Sequence, residues 1–198
     1  MKRKISFFSI GLVWGTPAFL FLIALFLCGV IAGGFTGLMG GTQGSVARLT
    51  DYLTANASGE TSLAVQAVGA VGSTLIWIVL CLVAGAMTPY SLFLAAVVAA
   101  RGFVLSFTVA AVVGTLGLRG VGISLVTTGA PALVTVPCLL IVATTAFLAA
   151  ADAPQGKRGG YLYALGRYRG ALTLCIVLSA VAALLRAAVT PLLLTLMK

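Results

Sequence analysis

Residues 17–34 read PAFLFLIALFLCGVIAGG and contain no charged side chain. A helix needs about 20 mostly apolar residues to cross the hydrocarbon core of a membrane. The run is preceded by three basic residues, Lys2, Arg3 and Lys4, and Lys and Arg are typical of the cytoplasmic side of a span. This segment therefore predicts a first transmembrane helix over about residues 12–34, with the N-terminus in the cytoplasm.

The rest of the chain also has the composition of a membrane protein. Of its 198 residues, 61% are hydrophobic and 8% are charged, and the mean hydropathy is +1.20. A soluble domain has roughly a quarter of its residues charged, so this chain has too few charged residues to form a surface that faces water. We predict an all-α, polytopic transmembrane helix bundle of about five spans that forms a single integral membrane domain. The spans are expected at about residues 12–34, 63–87, 91–114, 121–151 and 170–194.

The fourth of these runs, 121–151, is too long for one straight crossing and too short for two. Pro131 and Pro137 interrupt it, and each removes a backbone donor from a helix. We expect a short half-helix, a break near residues 129–131 and a full span from about Ala132, so that a broken helix lies around Gly129 and Pro137. The freed backbone groups require protein or water, which places the break in the bundle interior.

The charge distribution predicts the topology. The chain carries 12 Lys and Arg against 3 Asp and Glu, a formal charge of +9. The loop at 152–169 is the most basic internal segment, and short basic loops stay in the cytoplasm. Its basic residues are Lys157, Arg158, Arg167 and Arg169. We therefore expect the loop at 35–62 and the C-terminus to be extracytoplasmic.

Glycine recurs every four residues from the end of the first span, at Gly29, Gly33, Gly37 and Gly41. That spacing places the glycines on one helical face, where a second backbone can approach closely. A flexible loop explains the later two glycines equally well.

The residue types that catalysis and metal binding require are scarce. There is no histidine, and the three acidic residues are scattered along the chain. The four cysteines lie in four separate apolar runs without a CxxC pair: Cys28, Cys81, Cys138 and Cys175. Such cysteines pack as small hydrophobic residues. We expect a protein that is not an enzyme and has no cofactor, no metal site and no nucleic-acid partner, since its basic residues flank apolar runs and meet membrane lipid.

Two arginines fall inside predicted spans, Arg101 in the third and Arg186 in the last. An arginine at the centre of a bilayer costs roughly 2.5–3.5 kcal/mol on insertion scales, so it usually faces protein or water. One interpretation is an anion or substrate site, or a contact with an acidic partner. The other is a structural arginine that orients the carbonyls of broken backbone.

The segment RGFVLSFT at residues 101–108 resembles the basic–Gly–Phe–x–x–Gly–Phe–Thr stretch of stage II sporulation protein M. The resemblance covers roughly residues 90–198 and continues through a Gly–x–basic–Gly segment, two prolines six residues apart and a Thr-Pro near the C-terminus. The chain departs from the family pattern at Ser106, at Ala132-Leu133 and at Arg186. The candidate structural or partner-contact residues are Arg101, Gly102, Phe107, Gly117, Arg119, Gly120, Pro131, Pro137, Arg186 and Pro191.

The resemblance implies a role in endospore engulfment in a bacterium. It implies a multi-pass protein of the mother-cell membrane that recruits and localises stage II sporulation proteins D and P, which degrade peptidoglycan. The loop at 35–62 and the outer end of the last span would be the docking surfaces, because the cell wall lies on that side. A homo-oligomer is compatible with the sequence. The alternative function is a small transporter or channel subunit with a site around Arg101 at the membrane midplane.

Overall fold

The computed structural model describes residues 16–39, 63–152 and 160–196. Every secondary-structure element in these ranges is a helix, which confirms the all-α prediction for the described part of the chain. The helices are α1 (Pro17–Met39), α2 (Leu63–Ala86), α3 (Tyr90–Ser124), α4 (Ala130–Asp152), α5 (Gly160–Gly166) and α6 (Arg169–Leu196). A π-helical turn, Leu125–Gly129, joins α3 to α4.

Three of these helical segments are long and apolar enough to cross a membrane: α1, the Tyr90–Gly114 part of α3, and α4. A fourth span results if α5 and the Arg169–Leu184 part of α6, which meet at 74°, are one bent crossing. In α2 the apolar part is the shorter stretch Val71–Ala86. The described helices thus fit a membrane protein with three to four candidate spans, where the sequence predicts about five.

The element boundaries follow the predicted spans with three differences. Helix α1 continues past the predicted end at Gly34 to Met39, and α3 continues past the predicted end at Gly114 to Ser124. The segment predicted as a loop at 152–169 contains α5, whose Leu165 packs against the core and whose Tyr161 hydroxyl donates a hydrogen bond to the Leu82 carbonyl. The remainder of the predicted extracytoplasmic loop, residues 40–62, lies outside the described residues.

Helix α4 forms the centre of the bundle. Residues 138–146 are buried without interruption, so all sides of this helix are covered, and α4 contacts α1, α2, α5 and α6. A helix that is apolar all round is suited to such a position. Its two buried threonines keep their hydroxyls within the helix: Thr144 donates to the Leu140 carbonyl at 2.7 Å and Thr145 to the Val142 carbonyl at 2.8 Å.

Helices α1 and α3 pack along a seam of glycines. Gly29 and Gly33 are buried against the backbone of α3. A Cβ atom at Gly29 would lie under 3.0 Å from the carbonyl oxygen of Ala99, and one at Gly33 would lie equally close to that of Phe103. The predicted close approach of a second backbone at these two glycines is therefore confirmed.

The seam continues on both sides of these contacts. Gly102 of α3 is buried, and a Cβ there would meet the carbonyl oxygen of Phe26 in α1. Gly37 packs on Ala110, whose Cβ would lie 2.6 Å from a Cβ added to the glycine. Gly41, the last glycine of the predicted face, lies outside the described residues.

Helix α3 is interrupted at Gly117, within the connection predicted between the third and fourth runs. Gly117 has φ 58° and ψ −137°, a conformation that side chains with a Cβ rarely adopt. A Cβ at this position would meet no neighbour within 4 Å. The backbone conformation, and not space, is therefore what requires glycine here.

The predicted break before Pro131 takes a different form from the one expected. The chain stays helical through residues 125–130 as a π-helical turn, and the Ala130 N–H donates to the Leu125 carbonyl five residues back. Pro131 has no N–H, and its ring would clash with the carbonyl four residues back in a regular helix. The wider turn accommodates both effects, so the helix is bulged at 125–129 and does not end there. Pro137 lies inside α4.

Candidate functional site

Arg101 occupies the middle of a candidate membrane span. The candidate span Tyr90–Gly114 has 25 residues, and Arg101 lies about halfway along it and is partly buried. A charge at this depth requires interactions that replace water. The structure provides one of them through Trp77 of α2.

The guanidinium of Arg101 lies over an aromatic ring. Its Cζ atom lies 5.2 Å from the ring centroid of Trp77, within the roughly 6 Å range of a cation–π interaction. Such an interaction is worth about 2 kcal/mol or more when it is desolvated, so it offsets part of the cost of a charge at this depth.

A small cavity lies beside Arg101 where four parts of the fold meet. Its volume is about 20 Å³, and a space of roughly 10–15 Å³ holds one water molecule. The lining comes from α2, α3, the π-helical turn with the start of α4, and α6. The lining residues are Thr74, Arg101, Leu105, Thr128, Pro131, Ala132, Thr135 and Ala183.

The polar groups of this cavity come mainly from hydroxyls. Thr74, Thr128 and Thr135 line it, each from a different element. Together with Arg101 they give the lining one positive charge, three hydroxyls and no carboxylate. The arrangement can hold water or an anion, and none of its groups is a base for proton abstraction at neutral pH.

The π-helical turn places one of these hydroxyls. Thr128 lies in the turn and Pro131 lies one residue past its cap. Turns of this kind are frequent at functional sites. The sequence predicts both a deep arginine and an interruption of the fourth apolar run. In the structure these two features line the same cavity.

The segment 101–108 divides its residues between two surfaces. Arg101 and Leu105 line the cavity, while Gly102 packs on α1. Ser106 also faces α1, because a Cβ at Gly34 would lie 2.9 Å from its hydroxyl oxygen. Phe103 and Phe107 stack on each other, with ring centroids 5.9 Å apart and planes 9° apart.

The structure does not bring all the predicted site residues together. Arg101 and Pro131 meet at the cavity, and Gly102 and Phe107 lie at the α1–α3 seam. Gly117, Arg119 and Gly120 follow the candidate span in α3, and Gly120 is buried. Pro137 is in α4, and Arg186 and Pro191 are in α6, where their side chains lie outside the described ones.

Sequence reasoning missed Trp77 and the three threonines. The available signal for Trp77 was an aromatic residue in the middle of a predicted span, which is unusual because tryptophan favours the membrane interfaces. The signal for Thr128 and Thr135 was their position on either side of Pro131. Neither signal shows that Trp77 and the threonines lie around Arg101, because their proximity depends on how the helices pack.

The cysteines form no metal site within the described residues. Among these residues, no group of three or more His, Cys, Asp or Glu side chains could hold a metal ion. Cys28 is exposed, whereas Cys81, Cys138 and Cys175 are buried. Cys138 of α4 and Cys175 of α6 are neighbours where these two helices pack together.

Comparison with known proteins adds no relative to these observations. The chain matches no family model, no curated protein and no solved structure.

Proposed function

We propose that this chain is a non-catalytic membrane scaffold that recruits and localises peptidoglycan-degrading partners during endospore engulfment. The function is the one that the resemblance to stage II sporulation protein M implies. The observation that carries the proposal is that residues 101–108, which carry the resemblance, make contacts between the helices of the bundle. A scaffold requires a rigid bundle more than it requires an open site.

Three contacts of this segment support that role. Gly102 packs on the Phe26 carbonyl, and the guanidinium of Arg101 lies over the Trp77 ring. Phe103 lies against Gly33 through its backbone. These contacts join α3 to α1 on one side and to α2 on the other, so α3 is held between two neighbours.

The topology we propose has five crossings. The N-terminus and the basic segment at 152–169 are cytoplasmic, and the loop at 35–62 and the C-terminus are extracytoplasmic. Enzymes that act on the cell wall lie on the extracytoplasmic side. The docking surface for stage II sporulation proteins D and P is then the loop at 35–62 with the outer end of α6, in the mother-cell membrane.

Cross-linking in a spore-forming bacterium tests the proposal. The tagged protein is cross-linked in living cells during engulfment, purified in detergent and analysed by mass spectrometry. We expect proteins D and P to be recovered with the wild-type chain and to be lost when residues 40–62 are replaced by a Gly/Ser linker of equal length. An Arg167→Gln protein, altered on the opposite side of the membrane, serves as the matched control and should retain both partners. Recovery of neither partner with the wild-type chain would reject the scaffold function.

A second candidate is a small transporter or channel subunit. The cavity beside Arg101 favours it, because intramembrane charge next to irregular helix often marks a solute path. The cavity volume of about 20 Å³ places it second, because a path for a larger solute would require α2, α3 and α6 to separate. Anion flux into liposomes that is lost in Arg101→Leu would favour transport, and absence of flux with intact partner binding would favour the scaffold.

A further inference from the structure

We propose that α5 and the turn that follows it form a binding site for one anionic phospholipid at an interface of the membrane. The site consists of the apolar side chains of Leu162 and Tyr163 and the guanidinium groups of Arg167 and Arg169. It goes beyond the scaffold function and does not depend on it, because the docking surfaces of the scaffold lie at the opposite end of the bundle.

Helix α5 lies at the end of the bundle where α2 and α4 end. The Tyr161 hydroxyl donates to the Leu82 carbonyl at 2.9 Å, four residues before α2 ends at Ala86. Since a helix rises about 1.5 Å per residue, this contact is about 6 Å from the end of α2. Leu165 packs against the core, so two side chains attach α5 to the bundle at this level.

Tyrosines mark this level as a membrane interface. Four of the five tyrosines of the chain lie at this end of the bundle: Tyr90, Tyr161, Tyr163 and Tyr168. Tyr90 begins α3, and its ring packs edge-on against Phe147 of α4 with 5.3 Å between the ring centroids. Tyrosine is enriched at membrane interfaces because its ring is apolar and its hydroxyl is polar. Helix α5 therefore lies near the level of the lipid headgroups.

Helix α5 is turned away from the crossing that follows it. It meets the Arg169–Leu184 part of α6 at 74°. Helix α6 has 28 residues, more than the roughly 20 that one span needs, so the crossing does not require α5. When α6 crosses the membrane, α5 lies close to the membrane plane, as interfacial helices do.

The outer side of α5 is apolar. Leu162 is 67% exposed and Tyr163 is 88% exposed, whereas Tyr161 and Leu165 contact the bundle. Lipid acyl chains cover apolar side chains that are exposed at this level, and the Tyr163 hydroxyl reaches the headgroups and water. Leu162 and Tyr163 thus form the apolar half of the site.

The basic half of the site lies at the end of α5. Arg167 and Arg169 are both exposed. The turn that carries them is held by the Arg167 N–H, which donates to the Ala164 carbonyl at 3.0 Å. The Arg169 side chain turns back onto α5, because a Cβ added to Gly166 would lie 3.5 Å from its Nε atom. Both positive charges therefore lie at the same end of α5, next to its apolar side.

The charges select the lipid headgroup. Residues 152–169 contain four basic residues and one acidic residue, Asp152, so this end of the bundle is positively charged. An arginine binds phosphate oxygens through two parallel N–H donors, and anionic lipid attracts basic residues that lie near the membrane surface. The phosphate of phosphatidylglycerol has no ammonium group beside it, in contrast to that of phosphatidylcholine. The site therefore favours phosphatidylglycerol.

Native mass spectrometry of the whole protein in detergent tests the site. Delipidated protein is titrated with phosphatidylglycerol or with phosphatidylcholine of identical acyl chains, and the bound lipids are counted. We expect one phosphatidylglycerol to bind the wild-type protein at least about tenfold more tightly than phosphatidylcholine. The double variant Arg167→Gln, Arg169→Gln should lose this preference, because both arginines attract the anionic headgroup.

Single variants separate the two halves of the site from the total charge. Arg167→Gln should weaken phosphatidylglycerol binding several-fold. Arg119→Gln is its matched control, because it removes the same charge from the part of α3 that follows the candidate span, at the other end of the bundle, and it should leave the preference unchanged. Leu162→Ser should weaken the binding of both lipids equally, since the acyl chains are the same.

Two outcomes would overturn the proposal. Equal binding of the two lipids by the wild-type protein means that the headgroup is not recognised. A preference for phosphatidylglycerol that persists in the double variant places the lipid elsewhere. Because both arginines are exposed, the double variant should unfold at the same temperature as the wild-type protein, and Arg167→Gln decides the result if it does not.

Discussion

The hydroxyl of Tyr161 donates a hydrogen bond to the carbonyl oxygen of Leu82 at 2.9 Å, across 79 residues of chain. The bond joins the short helix α5 to the end of α2. Gly85 makes room for it, because a Cβ there would lie 2.6 Å from the Tyr161 hydroxyl oxygen and 3.1 Å from the Cβ of Ala146. A helix of seven residues is too short to be stable alone, so this contact helps to fix where the chain turns into α6.

Tyr161→Phe should destabilise the bundle by about 1 kcal/mol, the net contribution of one ordinary hydrogen bond. The phenyl ring keeps the packing, and the Leu82 carbonyl loses its donor. Unfolding in mixed detergent micelles, followed by tryptophan fluorescence, measures the change. Tyr163→Phe is the matched control: Tyr163 is 88% exposed, and its loss of a hydroxyl should leave the stability unchanged. Equal stability of both variants would contradict a role for the Tyr161 bond.

Gly33→Ala should destabilise the protein by about 1–3 kcal/mol, the usual cost of overpacking a close contact. The added methyl group meets the carbonyl oxygen of Phe103 at under 3.0 Å, and backbone cannot move aside as a flexible side chain can. Unfolding in mixed detergent micelles, followed by tryptophan fluorescence, measures this loss of stability. Gly72→Ala provides the control, because a Cβ at Gly72 has no neighbour within 4 Å. It should raise stability by up to about 1 kcal/mol through helix propensity, and a loss as large as that of Gly33→Ala would argue against the seam.

Oxidation should join α4 to α6 through Cys138 and Cys175. The two side chains are buried neighbours, and cysteines whose Cα atoms lie within about 7 Å of each other can form a disulfide with little backbone movement. The test uses a protein with Cys28 and Cys81 changed to alanine, a membrane-permeable oxidant and mass spectrometry of the cleaved chain. A protein that retains only Cys28 and Cys175 is the control and should give no intramolecular bond. Failure of the first protein to cross-link would mean that the two helices are placed differently.

Tyr163→Cys in a protein without its native cysteines should react with a membrane-impermeant maleimide only after the cells are permeabilised. Tyr163 is 88% exposed and lies between the basic residues Arg158 and Arg167, which are expected in the cytoplasm. A cysteine in the loop at 40–62 should react in intact cells. Labelling of Tyr163→Cys from outside would reverse the proposed orientation.

Much of the fold follows from local sequence. Helix α1 covers most of the apolar run predicted as the first span, and the breaks at Pro89 and Gly117 fall between the runs predicted at 63–87, 91–114 and 121–151. The widened turn at 125–129 was predicted only as a break, since proline indicates that the regular hydrogen-bond pattern fails but not which pattern replaces it. Helix α5 was predicted as loop, because its charged neighbours outweighed five uncharged residues between two glycines.

Only part of the candidate site could be predicted from the sequence. Arg101 was identified because a charge inside an apolar run is costly wherever it lies. Its partner Trp77 and the hydroxyls of Thr128 and Thr135 were not, since they lie on different helices and carry no charge. In a membrane, apolar faces do not distinguish a neighbouring helix from lipid, so the usual periodic signal of a buried face is weak.

The sequence by itself determined that this protein is an assembly of apolar helices with two arginines inside the apolar runs, because segment length and composition set what can exist in a hydrocarbon layer. Only the tertiary structure decided which helices are neighbours. It paired Gly33 with Phe103 and Arg101 with Trp77, and it made α4 the central helix. The physical reason is that helices in lipid associate through close backbone packing and a few polar contacts, and these depend on the shapes of two surfaces together.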